Sequence, residues 1–260
     1  MLITSRENPL IKEAAALLKD KKLRKETGSF VVEGARLCAE AARSGAFVQR
    51  VFLTESAQKT YAAYLTDLCA IAGEVFFVSE SVAEKLSDTK TPQGVFAVCR
   101  LAEKPVSWDG DGLFVLLSEL QDPGNLGTVL RTCEAMAVQS VLLCGCADPF
   151  SPKALRSSMG CLFRLPVRIF PTTGEALALL REHGIVTYAS ALSTKAESLP
   201  AVRFAPKSAV LIGNEGNGLS AEVIASCDHT VMIPMPGKAE SLNAASAAAI
   251  LLYSAANQRQ

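Results

Sequence analysis

Glycines and polar side chains concentrate at three points where an apolar, strand-like run passes into a helical pattern. The first lies within residues 116–132 and the second within residues 210–220. The third begins at residue 233 and runs into an alanine-rich stretch. Open sheets of parallel strands bind ligands at such strand-to-helix corners. The three corners are therefore predicted to form a ligand-binding edge.

The first corner carries an arginine suited to binding phosphate. Arg131 follows Asn125 by six positions in a predicted helix, and Gly124 and Gly127 allow close backbone approach. A guanidinium presents a rigid, planar fork of N–H donors that matches a phosphate group. Its pKa, above about 12, makes arginine implausible as a plain general base. We therefore expect Arg131 to act through its charge and geometry, with a nearby carboxylate holding it in place.

The third corner joins a Pro- and Gly-rich loop to a helix of mostly alanine and leucine. We predict that Ser241 caps this helix by accepting a hydrogen bond from a backbone N–H one turn in. Alanine has the highest helix propensity, so the helix does not depend on bulky packing to form. Its small side chains allow it to lie close to other backbone.

Other cofactor and catalytic patterns are absent from the sequence. Gly213, Gly216 and Gly218 have the spacing G-x-x-G-x-G rather than the dinucleotide pattern G-x-G-x-x-G, and no phosphate-binding P-loop occurs. The two histidines lie beside no serine or cysteine nucleophile in the chain, which disfavours a hydrolase. The eight cysteines lack paired metal-ligand spacing, so we expect reduced core thiols and no metal site.

The elements that must position these corners follow an alternating order. From residue 113 to the end, strand-like runs alternate with helical segments, which predicts an α/β domain with a parallel sheet covered by helices on both faces. Residues 28–100 alternate in the same way and predict a smaller α/β domain. Within that domain, a helix is predicted over residues 61–72 and a strand over 74–78.

A linker is predicted over residues 101–112, which are rich in proline, glycine and charge. Its tryptophan, Trp108, is expected to fill the domain interface. The predicted domains are therefore residues 1–105 and residues 106–260.

Positive charge is concentrated near the N-terminus, although the formal net charge of the 260 residues is +0. Residues 1–25 hold seven basic and three acidic side chains. A nucleic-acid enzyme with balanced overall charge needs such a local concentration. We predict that this segment starts with an amphipathic helix at Asn8-Pro9 and contacts RNA phosphates. The absence of a signal-peptide pattern and of a membrane-length apolar run predicts a cytoplasmic protein.

The three corners, in this order, resemble the three signature motifs of the SpoU (TrmH-type) RNA ribose 2′-O-methyltransferases of the SPOUT superfamily. Residues 30–34 and 86–95 resemble the RNA-binding domain that often precedes the SpoU catalytic domain. The resemblance implies an α/β fold with a deep trefoil knot, in which the last helix passes through the preceding loop. It also implies a homodimer.

The resemblance further implies S-adenosylmethionine as the cofactor and RNA as the partner, with 23S ribosomal RNA as the expected substrate. A tRNA ribose methyltransferase and a non-catalytic RNA-binding assembly factor are the alternatives. In the family, the arginine matching Arg131 activates the 2′-hydroxyl, and Glu215 matches its carboxylate partner. The implied catalytic residues are Arg131, Asn125, Glu215, Ser241 and Asn243, and the implied cofactor-binding residues are Gly213, Asn214, Gly218, Ile233, Pro234, Met235 and Leu242.

Overall fold

The computed structural model describes residues 2–100 and 103–259 and divides the chain into two compact units. The first unit contains Met1–Ala102 and Asp148–Arg164, and the second contains Glu103–Ala147 and Leu165–Gln260. Residues 101 and 102 of the predicted linker lie outside the described residues. Among the described residues, no helix has both the length and the apolarity needed to cross a membrane.

A five-stranded mixed sheet forms the centre of the first unit. Its strands lie in the order β1-β4-β3-β5-β2, with β4 parallel to β1 and β3, and β5 antiparallel to β3 and β2. The predicted smaller α/β domain is confirmed. The elements are β1 (Leu2–Ile3), α1 (Pro9–Lys19), α2 (Lys21–Thr27), β2 (Ser29–Glu33), α3 (Ala35–Arg43), β3 (Phe47–Leu53), α4 (Glu55–Thr60), α5 (Ala62–Ile71), β4 (Glu74–Val78), α6 (Glu80–Lys85) and β5 (Val95–Arg100).

The N-terminal helix α1 forms as its sequence predicts. The Asn8 side chain accepts a hydrogen bond from Leu10 N, and Pro9 occupies the first helical position. Asp20 ends α1 and caps α2, because its carboxylate accepts from Lys22 N and Leu23 N. The pattern predicted no second helix here, since α2 has few apolar residues to mark its buried face.

Arg24, on α2, is buried rather than available to RNA. Its side chain is only 7% exposed, and its Nε lies 2.7 Å from the Asp148 carboxylate. Its Nη1 donates to Leu17 O at the end of α1. The RNA contact predicted for the N-terminal basic segment therefore does not extend to this residue, because its guanidinium is buried and bonded to Asp148 and to Leu17 O.

A seven-stranded, fully parallel sheet forms the second unit, with the strand order β10-β12-β9-β11-β6-β7-β8. All seven residues of β6 are buried, so both faces of the sheet are covered, as predicted. The remaining elements of the chain are β6 (Gly112–Ser118), α7 (Pro123–Ala135), β7 (Ser140–Cys144), α8 (Pro152–Ser158), β8 (Val167–Phe170), α9 (Thr173–Glu182), β9 (Val186–Ser190), β10 (Glu197–Ser198), β11 (Lys207–Ile212), α10 (Ala221–Ala225), β12 (His229–Met232) and α11 (Ala244–Asn257).

The segment that contains α8 packs in the first unit, although it lies between two strands of the second. The Phe30 ring stacks on Phe150, with centroids 4.9 Å apart, and on Phe163 at 6.1 Å. Asp148, the first residue of the segment, pairs with Arg24. The functional boundary near residue 105 stays a prediction, but the core of the first unit includes this segment from the predicted second domain.

Trp108 packs within the second unit. Its ring is nearly parallel to Phe114 and His183, with centroid distances of 5.4 Å and 4.7 Å. These contacts place the linker tryptophan at the edge of the core that α9 also covers. The expected role of Trp108 at a domain interface stays a prediction.

Candidate active site

The three predicted corners lie at the carboxyl ends of three strands of the parallel sheet. They follow β6, β11 and β12, of which β6 and β11 are direct neighbours. Strands that run parallel bring their carboxyl ends to one edge, so the loops after them can meet. Hydrogen bonds between side chains of all three corners show that they do.

The first corner leads into α7 through an Asp-Pro cap. The Asp122 carboxylate accepts from Asn125 N at 2.8 Å, and Pro123 is the first helical residue. This cap starts α7 so that Asn125 lies in its first turn. Asp before Pro is a sequence signal for the start of a helix.

The second corner is a turn that closes on itself. Asn214 N donates to Gly218 O and Gly218 N donates to Asn214 O, at 3.1 Å and 2.9 Å. A Cβ on Gly213 would lie 2.2 Å from the Gly218 carbonyl carbon, so only glycine fits there. Asn214 Nδ2 also donates to Glu119 O at 2.9 Å, which ties this turn to the first corner.

Glu215, in the same turn, binds the backbone of the first corner. Its carboxylate accepts from Asp122 N at 2.9 Å, from Gln121 N at 3.1 Å and from Asn125 Nδ2 at 3.2 Å. Burial disfavours the charged carboxylate, but the hydrogen bonds from Asp122 N and Gln121 N outweigh it, and the pKa of Glu215 is lowered. Glu215 is therefore an ionised acceptor that holds the two corners together.

Asn243 joins the third corner to the other two. Its Oδ1 caps α11 by accepting from Ala245 N and Ser246 N, and its Nδ2 donates to Asn125 Oδ1 at 3.1 Å. The prediction that Ser241 caps this helix is wrong, because α11 begins at Ala244 and Asn243 precedes it. Glu215, Asn125 and Asn243 thus form one hydrogen-bonded chain across the three corners, which we call the corner network.

Arg131 is exposed on α7, and its side chain makes no hydrogen bond or ion pair with any residue that the structure describes. The pairing with Glu215 that the resemblance implied is therefore not formed. The Glu215 carboxylate instead accepts from backbone and amide donors of the first corner. The guanidinium is left available to a substrate.

A cleft of ≈ 340 Å³ lies beside the corner network. Six of the seven predicted cofactor-binding residues line it, whereas the exposed Pro234 does not. Glu215 and Ser241 line it as well, but Asn125, Arg131 and Asn243 do not. Sequence reasoning missed Leu192 and Leu251, which also line the cleft and carry no motif that would have marked them. The six predicted residues that line the cleft are Gly213, Asn214, Gly218, Ile233, Met235 and Leu242.

Residues 112–253 match the model of the SpoU rRNA Methylase family, and residues 8–97 match that of the MRM3-like substrate binding domain. The first match spans more than half of the chain. The chain belongs to the SpoU rRNA methylase family. The resemblance drawn from the three corners and from the N-terminal stretches is thereby confirmed.

Curated and structural relatives agree with this family. The chain is 34% identical to the 23S rRNA (guanosine(2553)-2′-O)-methyltransferase RlmP of Bacillus subtilis, over 96% of this chain and 97% of that protein. An AdoMet-bound rRNA methyltransferase structure from Sinorhizobium meliloti matches 100% of this chain and 98% of that one, with 29% identity and a TM-score of 0.88. A tRNA (guanosine(18)-2′-O)-methyltransferase of Thermus thermophilus is 37% identical, over 56% of this chain and 75% of that protein.

The SpoU family uses S-adenosylmethionine, and the cleft has the properties that such a nucleoside cofactor requires. Its walls include the apolar side chains of Ile212, Val231 and Leu251, which can cover the faces of an adenine. The turn at residues 213–218 brings backbone polar groups to one side. Apolar walls with a few fixed polar groups are typical of small-molecule sites. The residues present therefore fit the cofactor.

Proposed function

We propose that this chain transfers the methyl group of S-adenosylmethionine to the 2′-hydroxyl of a ribose in RNA, with 23S ribosomal RNA as its substrate. The observation that carries the proposal is the corner network beside the cleft, with an unpaired Arg131 on the same helix as Asn125. When bound, the cofactor supplies a methyl group activated by a positively charged sulfur.

Arg131 stabilises the negative charge that develops on the ribose 2′ oxygen. A guanidinium that keeps its own protons is an unsuitable base, so the 2′ proton passes to a phosphate oxygen of the substrate. A preorganised donor aimed at developing charge contributes a large part of catalysis in many enzymes. The absence of an internal partner supports this role, because no bond within the protein has to break before the guanidinium binds RNA.

The corner network sets the geometry of the reaction. Glu215 fixes the backbone before α7, Asn125 links it to the third corner, and Asn243 fixes the start of α11. Correct orientation of two reactants removes much of the entropic barrier to transfer. Ser241, which lines the cleft, completes the polar groups on the third corner.

Ribosomal RNA is favoured over tRNA by the extent of the matches. The RlmP relative aligns with nearly the whole chain, whereas the tRNA-modifying relative aligns with little more than half of it. Residues 8–97 of this chain match a substrate-binding domain. We propose that the chain acts in the cytoplasm, on ribosomal RNA held by this first unit.

The proposal is tested with purified protein, labelled S-adenosylmethionine and separate rRNA and tRNA fractions. We expect label in 23S rRNA at one ribose, which alkaline-resistance mapping would locate. Label in tRNA alone would show that tRNA, and not ribosomal RNA, is the substrate. Calorimetric binding of the cofactor without any methyl transfer would favour the non-catalytic assembly factor.

A trefoil knot and a homodimer are part of the same proposal. The buried alanines of α11, among them Ala244, Ala245 and Ala248, support the knot, since a helix passing through a loop must approach backbone closely. Ile250 and Tyr253 support the dimer, because they are 40% and 62% exposed on the helix that packs against α7. A traced electron-density map tests the knot. Sedimentation tests the dimer, which should have twice the 27.5 kDa chain mass.

A further inference from the structure

The last helix, α11, is fastened by polar side chains at both of its ends. At its amino end, Asn243 connects it to the corner network at the carboxyl edge of the parallel sheet. At its other end, Gln258 and Arg259 bind residues 202–208 and the first residue of β6. We call these two residues the C-terminal anchor.

Arg259 binds at the amino ends of the strands, opposite the carboxyl ends that carry the active site. Its Nη2 donates to Gly112 O at 3.2 Å, where β6 begins, and to Ser208 Oγ at 2.5 Å, where β11 begins. The same nitrogen also lies 3.2 Å from Ala205 O, and Nε donates to Pro206 O at 3.3 Å. Partial burial lowers the pKa of Arg259. The groups that accept its hydrogen bonds are neutral carbonyls and a hydroxyl, and no carboxylate is bonded to it among the described residues.

Gln258 forms a second pair of bonds with the same loop. Its Oε1 accepts from Phe204 N at 3.0 Å, and its Nε2 donates to Val202 O at 3.1 Å. Both ends of the amide are therefore used. Together, Gln258 and Arg259 fix the end of α11 in translation along its axis and in rotation about it.

The composition of α11 explains why such an anchor matters. Its buried face consists of four alanines and the two leucines Leu251 and Leu252. Burial of small apolar groups is favourable but non-directional, so it restrains sliding and rotation only weakly. Hydrogen bonds have narrow limits of distance and angle, and they restrain both. The polar groups at the two ends therefore add a directional restraint to the apolar packing of α11.

We propose that Gln258 and Arg259 are positioning residues for methyl transfer, acting on the active site from the far end of α11. The proposal rests on the proposed function. A helix of 14 residues spans about 21 Å, at about 1.5 Å per residue. Through this rod the anchor holds Asn243 against Asn125, and it holds Ala244, Ala247 and Leu251 against the cofactor cleft.

The test compares anchor variants with a matched control on the same helix end. The anchor is removed by Gln258→Ala, by Arg259→Ala and by the double variant. The control is Asn257→Ala, which changes an exposed neighbour for which no side-chain bond is found among the described residues. We measure kcat, the KM for RNA and the Kd for S-adenosylmethionine, each well below the unfolding temperature of the variant. The double variant should lose at least tenfold in kcat, with the KM for RNA within twofold of wild type. The control should stay within twofold in every constant.

The split between kcat and KM separates positioning from a merely structural role. Arg259→Lys should recover part of the lost kcat, because an ammonium can reach some of the same carbonyls without the planar fork. A fully folded double variant with more than half of the wild-type kcat would overturn the proposal, as would a loss that disappears on cooling.

Failure of the proposed function is distinguishable from failure of the anchor. A wild-type chain that binds S-adenosylmethionine but methylates no RNA contradicts the function alone. The affinity of the double variant for the cofactor then decides on the anchor. A Kd raised at least fivefold supports it, since α11 lines the cleft, and an unchanged Kd overturns it.

Discussion

Arg24 in the first unit and Arg131 in the second have opposite environments, although both lie on helices next to polar segments. Arg24 is 7% exposed and pairs with Asp148, whereas Arg131 is exposed with no partner among the described residues. The sequence predicts RNA contact for the basic segment that holds Arg24, and a role in RNA chemistry for Arg131. The fold binds the Arg24 guanidinium internally and leaves that of Arg131 without a partner among the described residues.

The two carboxylates also differ in their donors. Asp148 accepts from the Arg24 guanidinium and from Phe150 N. Glu215 accepts from two backbone N–H groups and one side-chain amide, and no arginine is bonded to it among the described residues.

The largest expected effect is on catalysis at Arg131. Replacing Arg131 with alanine removes the donor that stabilises the developing charge, so kcat should fall by about 10²-fold or more. Unfolding temperature and cofactor affinity should stay near wild type, because the side chain has no internal partner and does not line the cleft. Single-turnover transfer of labelled methyl, with calorimetry in parallel, measures these quantities.

Arg131→Lys sharpens the same test. It keeps the charge but loses the planar fork, so it should fail almost as badly as alanine. An alanine variant with more than a tenth of wild-type turnover would show that Arg131 is not the activating group.

At Arg24 the expected effect falls on stability instead. Arg24→Met keeps much of the apolar stem but leaves Asp148 without its cation, so the free energy of unfolding should fall by about 2 kcal/mol. The salt dependence of RNA binding should not change, because the Arg24 guanidinium is buried against Asp148. Urea unfolding and RNA titrations over a range of salt measure both. A weaker salt dependence of RNA binding in Arg24→Met would show that Arg24 belongs to the RNA-binding surface.

Much of the fold was predictable because strands and long helices leave periodic patterns. The strand at Glu74–Val78 was predicted with its observed bounds. The helix over residues 61–72 was predicted without α4, a short helix capped by Thr54 with one buried residue. The sequence predicts Ser241 as the cap of α11, whereas Asn243 is the cap, because the sequence does not show which of two nearby polar residues takes cap geometry.

The candidate site was predictable in its residues but not in its contacts. Glu215, Asn125 and Asn243 were all named, yet their connection depends on where three distant turns meet. The packing of residues 148–164 in the first unit depends on contacts such as Phe30 with Phe150, which no local pattern contains. A cut at residue 105 would therefore expose Phe150 and Phe163.

An intermediate effect is expected at Glu215. The Glu215→Gln side chain has only one acceptor oxygen, so either Gln121 N or Asp122 N loses its partner. The activation barrier to methyl transfer should therefore rise by about 1 kcal/mol, which is about a fivefold loss in kcat. Glu215→Asp is the matched control, since it keeps the charge on a shorter side chain. An unchanged kcat for the glutamine variant would show that the network does not depend on the carboxylate.

The lowered pKa of Glu215 adds a pH signature to this variant. A carboxyl group with a folded-state pKa below its unfolded value contributes stability above the unfolded pKa, and this is lost as pH falls through the folded pKa. Wild type should therefore lose stability relative to Glu215→Gln only at acidic pH. Thermal unfolding between neutral and acidic pH measures this difference, and parallel curves would contradict it.

The smallest expected effect concerns the exposed lysines that remain near Arg24. Lys19 is exposed and has no ion pair among the described residues, whereas Lys22 lies 3.8 Å from the Glu26 carboxylate. If an unpartnered cation is what RNA uses, Lys19→Ala should reduce the slope of log affinity against log salt by about 1, with a loss in affinity of a few-fold. Lys22→Ala should change the slope less, because its charge is already partly neutralised. Equal changes in the two variants would show that local ion pairs do not decide which cations of the first unit contact RNA.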